Sequence, residues 1–215
     1  MKSLSSHTCT LSKTITSIYN GQLDITWLNG KKHLNSKNAN YSYGALQRIL
    51  KFGLEQIKLS QVNSILVLGM GGGSVIETLR TDFKFKKHIT AVDIDPIIIA
   101  IAKDEFGIVE NANLKIHCAD AFTFIKENTS VFDLIIVDLY IDLNVPNIFL
   151  GLEFWLAVEN SKSSKGAIIF NASVGKTASN TKLETIISFL RSKIYKISVY
   201  ENVNNTNTVI VASGL

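Results

Sequence analysis

The sequence predicts an α/β fold, a mostly parallel sheet covered by helices, closed by a C-terminal antiparallel hairpin and preceded by a small N-terminal β element. Three observations predict it. From residue 64 onward, short runs rich in Ile and Val alternate with helical segments. Continuous apolar strands separated by helices indicate a parallel sheet buried on both faces. The last two strand-like stretches, 196–200 and 208–212, are joined through Asn204-Asn205-Thr206-Asn207, a connection suited to an antiparallel pair. Residues 11–30 alternate polar and apolar and end in Asn29-Gly30, a dipeptide that favours a tight hairpin turn.

The elements follow in order. After the N-terminal hairpin, residues 31–42 are polar and read as a loop. Leu46, Ile49, Leu50, Leu54 and Ile57 then fall at helical spacing. Strands are expected at 64–68, 88–92, 114–118, 134–137 and 167–170, with helices at 74–81, 96–106, 121–127, 148–160 and about 179–192. This divides the chain into a β element over 1–42 and a main domain over 43–215. No repeat, low-complexity stretch or linker interrupts it.

Composition excludes several function classes. The 215 residues are 46% hydrophobic and 19% charged, which suits an ordered globular chain. At this size roughly 70% of the unfolded surface can be buried. Net charge is +4, and the only dense basic run is 84–88, read as a solvated loop; without a basic stripe, nucleic-acid binding is disfavoured. Cys9 and Cys118 lack metal-type spacing and exclude a disulfide framework. His7, His33, His88 and His117 do not cluster with acids or cysteines, so no metal site is expected. The N-terminal residues lack a continuous apolar run, and the longest run, 97–102, falls short of the ~20 residues that span a bilayer. A soluble, cytoplasmic protein is expected.

Ligands of open α/β sheets bind beyond the carboxyl ends of the strands. The first strand ends in Gly69-Met70-Gly71-Gly72-Gly73-Ser74. Glycine there lets the backbone turn sharply and approach a ligand, while amides at the helix start bind polar groups. The second strand ends in Asp93-Ile94-Asp95-Pro96. Asp93 is placed to accept hydrogen bonds from ribose hydroxyls. Asp95 before Pro96 reads as a helix N-cap. The third ends in Asp120-Ala121, where Asp120 could accept from an adenine amine or cap the next helix. The fourth ends in Asp138-Leu139-Tyr140-Ile141-Asp142, with Asp138 projecting into the cleft or ordering its loop.

These four strand ends together resemble the class I S-adenosylmethionine-dependent methyltransferase fold, and more closely the spermidine synthases and their relatives. The glycine loop is similar to that family's G-G-G-D-G-G, Asp93-Ile94-Asp95 to its E-I-D, Cys118-Ala119-Asp120-Ala121 to its G-D-G/A, and Phe132–Asp138 to its Y-D-x-I-I-x-D. Leu28-Asn29-Gly30 resembles its L-D-G hairpin, and Val145-Pro146 with Phe149, Phe154 and Trp155 its segment after the catalytic loop. The resemblance implies a Rossmann-like methyltransferase fold. It assigns Gly69, Met70, Gly71, Gly72 and Gly73 to the methionine part of the donor, Asp93 to the ribose, and Asp120 with Ala121 to adenine, with Ile94 a further cofactor-binding residue. It also suggests self-association, as a homodimer.

The sequence departs from that family on the amine side. Its aspartate inside the glycine loop is Gly72 here, its Y-x-E glutamate becomes Tyr43 or Ala45, and D-S-S-D-P becomes Asp138–Asp142. A diamine needs several carboxylates in a desolvated pocket. The leading expectation is methyl transfer from S-adenosylmethionine to a small polar or amine acceptor. Gly72 would leave room for the donor carboxylate at the helix N-terminus. Asp138 is the candidate base, and Tyr41, Tyr43 and Tyr140 are candidate pocket walls. The alternatives are aminopropyl transfer from decarboxylated S-adenosylmethionine, with Asp138 and Asp142 holding the amine, and a non-catalytic binder. A nicotinamide-dependent dehydrogenase fits less well, because serine replaces the third glycine of G-x-G-x-x-G.

Overall fold

The computed structural model describes residues 12–28, 30–37, 40–141, 144–172, 178–193 and 195–214. Cys9, His7, Asn29 and Asp142 lie outside these described residues.

The N-terminal element is larger than the expected hairpin. β1 (Ser12–Ser17), β2 (Gly21–Leu28), β3 (Lys31–Ser36) and β4 (Asn40–Ser42) form an antiparallel sheet in that order. The reading of 31–42 as a loop is therefore corrected. In β3 only Leu34 is buried, so a single apolar residue carries the inward face and no alternation is visible in the sequence. The sheet packs Leu23, Ile25 and Leu34 onto Ile98 and Ile101.

α1 (Ala45–Glu55) leads into the main sheet. Its strands are β5 (Ser64–Leu68), β6 (His88–Asp93), β7 (Leu114–Cys118), β8 (Phe132–Val137), β9 (Lys162–Ala172), β10 (Tyr195–Val203) and β11 (Asn207–Gly214). The helices between them are α2 (Ser74–Thr81), α3 (Pro96–Phe106), α4 (Ala121–Glu127), α5 (Leu152–Asn160) and α6 (Ala178–Ser192). The strand order is β10-β11-β9-β8-β5-β6-β7. β5 to β9 run parallel, and β11 is antiparallel to both β9 and β10. This is the Rossmann-like methyltransferase architecture, with helices on both faces and the antiparallel C-terminal pair that the sequence leads one to expect.

Alternation within β5 explains the two covered faces. Ile65 and Val67 face a core with Ile49, Leu50 and Leu54 of α1 and Val75, Ile76 and Leu79 of α2. Leu66 and Leu68 face the other core, with Ile125, Phe154, Trp155, Ile186 and Leu190. Each fully buried Leu or Ile contributes about 1.5–3 kcal/mol.

Two local differences from expectation have clear causes. The single helix expected at 148–160 is split into a 3-10 turn at Asn147–Leu150 and α5, because Gly151 is extended between them. The basic run is anchored rather than free: Phe85 is buried, and Lys87 Nζ donates to the carbonyl of Val62 at 2.8 Å. No helix among the described residues is long and apolar enough to cross a membrane.

Candidate active site

The strand order reverses at β5, between β6 and β8, and a crevice opens at their carboxyl ends. It is a cleft of about 480 Å³. The turns after β5, β6, β7 and β8 all reach it, through Gly69, Met70 and Gly71, Asp93 and Ile94, Asp120 and Ala121, and Asp138 to Ile141.

The glycine loop divides between two tasks. Gly69 and Met70 donate their amides to the carbonyl of Val92 at 2.9 and 3.0 Å, which pins the loop to the end of β6. Gly71 donates to Asp93 Oδ2 at 2.9 Å. Gly72 and Gly73 do not line the cleft, contrary to their expected role. A Cβ on Gly72 would meet the Ser42 side chain at 3.0 Å, so this position faces β4. Its carbonyl accepts from the Tyr43 hydroxyl at 3.3 Å. A side chain at this position would therefore point at β4 and not into the cleft. Gly73, at φ +84°, would place a Cβ 2.5 Å from Ile108, so this glycine serves the packing of the turn into α2.

Asp93 is buried and doubly held, by Gly71 N on one oxygen and by Asp95 N at 3.0 Å on the other. Burial pushes its pKa up to about 6, against the pull of those backbone donors. Asp95 caps α3, accepting from Ile97 N at 2.9 Å. It also accepts from the Ser17 hydroxyl and from Asn20 Nδ2, the latter at 2.9 Å. That ties the turn between β1 and β2 to the site, and Tyr19 and Asn20 of this turn line the cleft.

Asp138 stands at the end of β8, partly enclosed. Burial pushes its pKa up to about 7; a hydrogen bond from Asn171 opposes this, and the Asp93 charge adds to it. Asn171 Nδ2 donates to Asp138 Oδ1 at 2.8 Å, and Tyr140 donates its hydroxyl to the Asn171 carbonyl at 2.8 Å. Asn171 was missed in the sequence, although it closes the fifth strand and the strand-end rule applies to it equally.

Asp120 caps α4, accepting from Thr123 N at 2.8 Å, while also lining the cleft beside Ala121. The cap reading holds without removing Asp120 from the site. Tyr41 and Tyr140 line the cleft, but Tyr43 does not. Tyr43 is buried with its ring stacked on Phe106 at 4.2 Å, so its assignment as a pocket wall is corrected. Burial and the Asp93, Asp95 and Asp138 carboxylates together hold the Tyr41 phenol far above its ordinary range. Apolar walls come from Leu46, Ile49, Leu50, Ile148 and Phe149. No Lys, Arg or His is among the described residues lining the cleft.

These features fit an adenosyl sulfonium donor. A tight glycine turn gives close backbone approach, Asp93 is an ordered acceptor at the second strand end, and the carboxylates suit a cation.

Comparison with known proteins bears on which group of this fold is involved. Residues 47–194, more than half of the chain, match the Spermine/spermidine synthase domain. A polyamine aminopropyltransferase of Vibrio vulnificus is 30% identical over 110 residues, covering 50% of this chain and 36% of that protein. An eEF1A lysine and N-terminal methyltransferase of Xenopus laevis is 26% identical over 153 residues, 66% of this chain and 22% of that protein. The chain thus spans about a third or less of the length of these curated relatives. A probable spermidine synthase from Corynebacterium glutamicum shares the fold at TM-score 0.69 and 15% identity, over 95% of this chain and 77% of that one. Human methyltransferase-like protein 13, in complex with SAH, does so at TM-score 0.65 and 22% identity, over 80% and 83%. The relatives are transferases of both aminopropyl and methyl groups, and the chain itself belongs to the spermine/spermidine synthase domain family.

Proposed function

We propose that the protein transfers a methyl group from S-adenosylmethionine to the nitrogen of a small monoamine. One observation carries this reading. Of the three carboxylates lining the cleft among the described residues, Asp93 and Asp120 stand at the strand ends read as the donor's, which leaves Asp138 for the acceptor, and apolar side chains of α1 and the 3-10 turn line the same cleft. A buried ammonium needs an opposing carboxylate. One carboxylate matches one amine, whereas a polyamine would leave charges uncompensated.

When bound, the donor supplies an electrophilic carbon on a sulfonium. Gly69–Gly71 and Asp93 would hold it, and Ile94, Ala121 and Phe149 would flank it. Asp138 accepts the proton of the incoming ammonium and holds the freed amine in place. Displacement at carbon is in-line, so orientation supplies most of the rate gain. Proton removal by a positioned carboxylate adds about 10²- to 10⁴-fold.

A second reading, aminopropyl transfer from decarboxylated S-adenosylmethionine, is favoured by the lack of Lys, Arg and His in the described cleft wall. A donor carboxylate would find backbone amides, hydroxyls and the side-chain amides of Asn20, Asn171 and Asn207 there, but no cation.

One experiment separates them. Thermal stabilisation is measured with S-adenosylmethionine, its decarboxylated form and NAD at matched concentrations, and product is then sought with a panel of monoamines and diamines. A ligand at 100 times its Kd adds about 2.7 kcal/mol of stability. Stabilisation by the intact donor, with methylated monoamine formed by wild type but not by Asp138→Asn, is the expected result. Preference for the decarboxylated donor, with an aminopropylated product, replaces the first reading by the second.

A further inference from the structure

The hydrogen bond that Asp138 receives is itself supported. Asn207, at the start of β11, donates its Nδ2 to Asn171 Oδ1 at 2.8 Å, and Asn171 donates its own Nδ2 to Asp138 Oδ1 at the same distance. An amide has one acceptor end and one donor end. Because Asn207 occupies the acceptor end of Asn171, only the NH₂ end remains to face Asp138. Asn171 is fully buried, so both ends of its amide need partners, and these two side chains supply them.

The backbone fixes both amides. β9 and β11 pair antiparallel with Val209 opposite Asn171, which sets Asn207 two residues from the pairing position. Tyr140, two residues beyond Asp138, donates to the Asn171 carbonyl, so the loop carrying the carboxylate is bound to the same residue. Asn207 also lines the cleft, at its border with the C-terminal hairpin.

We propose that Asn207 and Asn171 form an amide relay, built across the β9–β11 pair, that holds one Asp138 oxygen as an acceptor and thereby sets the charge state of this carboxyl. In the reaction proposed above, on which this part of the inference rests, the other oxygen is left for the acceptor amine. Asn171 and Asn207 are positioning residues. They give the antiparallel hairpin a part in the site that the parallel strands alone could not supply.

Asn171 apart, the groups that face Asp138 favour its neutral form or carry no opposing charge. Asp93 at the end of β6 repels its charge. Asp120 at the end of β7, Tyr41 from β4 and Tyr140 from its own loop also border the cleft, and no Lys, Arg or His among the described residues does so. Asp142 lies outside the described residues. The Asn171 donor therefore stands as the stabilising contact of the carboxylate, and burial strengthens it.

The test is a ¹³C titration of aspartate carboxyls in the full chain, with no donor or acceptor added, in which Asp138→Asn identifies the resonance. Asn171→Leu should raise the Asp138 midpoint by about one pH unit or more, the effect of losing a hydrogen bond to a charged group. Asn207→Ala should raise it in the same direction by less, since Asn171 keeps its donor but loses the partner that orients it. Asn207→Ser, which retains a donor, should recover part of the shift. Asn207 is only half-buried, so its variants keep the test open if Asn171→Leu does not fold. A midpoint unmoved by either substitution overturns the proposal. So does a shift with Asn171→Leu and none with Asn207→Ala, because the relay then ends at Asn171. The readout needs no turnover, so failure to find a methylated product leaves it standing, and its failure leaves the methyl-transfer reading intact.

Discussion

A Cβ built on Gly69 would lie 2.1 Å from the backbone carbonyl oxygen of Asp138. The turn after β5 and the turn after β8 are thus in direct backbone contact, and Asp138 N completes the join by donating to the Leu68 carbonyl at 2.9 Å. The donor loop and the candidate base cannot be displaced independently.

Gly69→Ala should therefore damage both. Its φ of +85° is left-handed, which costs an L-residue about 1–2 kcal/mol before any clash. The clash is with backbone, so one of the two turns must move. A total loss of at least about 3 kcal/mol is expected, read as a thermal midpoint lowered by roughly 6–12 °C. Stabilisation by S-adenosylmethionine should vanish as well. An unchanged midpoint with an intact ligand response would contradict the interlock.

Asp95→Ala should separate the N-terminal sheet from the site. The substitution removes the α3 cap and leaves the buried Ser17 hydroxyl and the Asn20 amide without their acceptor. Loss of a cap costs about 0.5–2 kcal/mol, and an orphaned buried polar group about 1–3 kcal/mol more. Chemical denaturation should show a loss of about 2–4 kcal/mol. Donor affinity should fall with it, because Tyr19 and Asn20 line the cleft. If stability falls while affinity holds, the turn is merely structural.

Legibility in the sequence follows from what each residue is asked to do. α2 and α3 begin and end where the sequence places them, since Gly73 leads into one and Asp95-Pro96 open the other. The strand ends were equally plain, because apolar runs stop abruptly at Gly69, Asp93 and Asp138. β3 was hidden, since Leu34 alone marks its buried face. Tyr41 and Tyr43 could not be told apart by spacing. A positive φ at Tyr43 redirects the chain and sends that ring to Phe106 instead of the cleft. Gly72 misled because its neighbour in space, Ser42, belongs to a strand that the sequence did not reveal. The sequence marks Asp95 as a cap through Pro96, yet its second task depends on a partner 78 residues away. Contacts of that range have no local signature.

Asp93→Asn tests the ordered acceptor at the end of β6. Both carboxylate oxygens accept backbone donors, from Gly71 and Asp95. An amide supplies one acceptor and turns an NH₂ toward the other donor, so one bond becomes a repulsion. Affinity for S-adenosylmethionine, measured calorimetrically, should drop about 10- to 100-fold, as expected for losing a charge-assisted contact. A near-wild-type Kd would remove Asp93 from the donor site.

The last prediction concerns pH. Asp93 and Asp138 titrate in the folded protein at about 6 and about 7, above the ordinary carboxyl range. Both groups are protonated in folded and unfolded chains below about pH 3. Between there and pH 7 the folded protein binds more protons than the unfolded chain, so these two groups lower stability progressively as pH rises. The loss is complete once both have ionised. Glu105 acts oppositely, because hydrogen bonds from Lys13 and Lys32 hold its pKa down; its contribution is lost as pH falls through that lowered value. Ligand-free stability should thus decline from about pH 5 to 7.5. A cationic donor reverses the sign, since it binds best when both carboxyls are charged. Its affinity should rise over the same interval, with protons released on binding at pH 6. Calorimetry at pH 6 in two buffers of different ionisation heat measures that release directly. Asp138→Asn should reduce it, leaving the share due to Asp93. A proton uptake at pH 6, or affinity independent of pH from 5 to 8, would mean that neither carboxyl meets the positive charge of the donor.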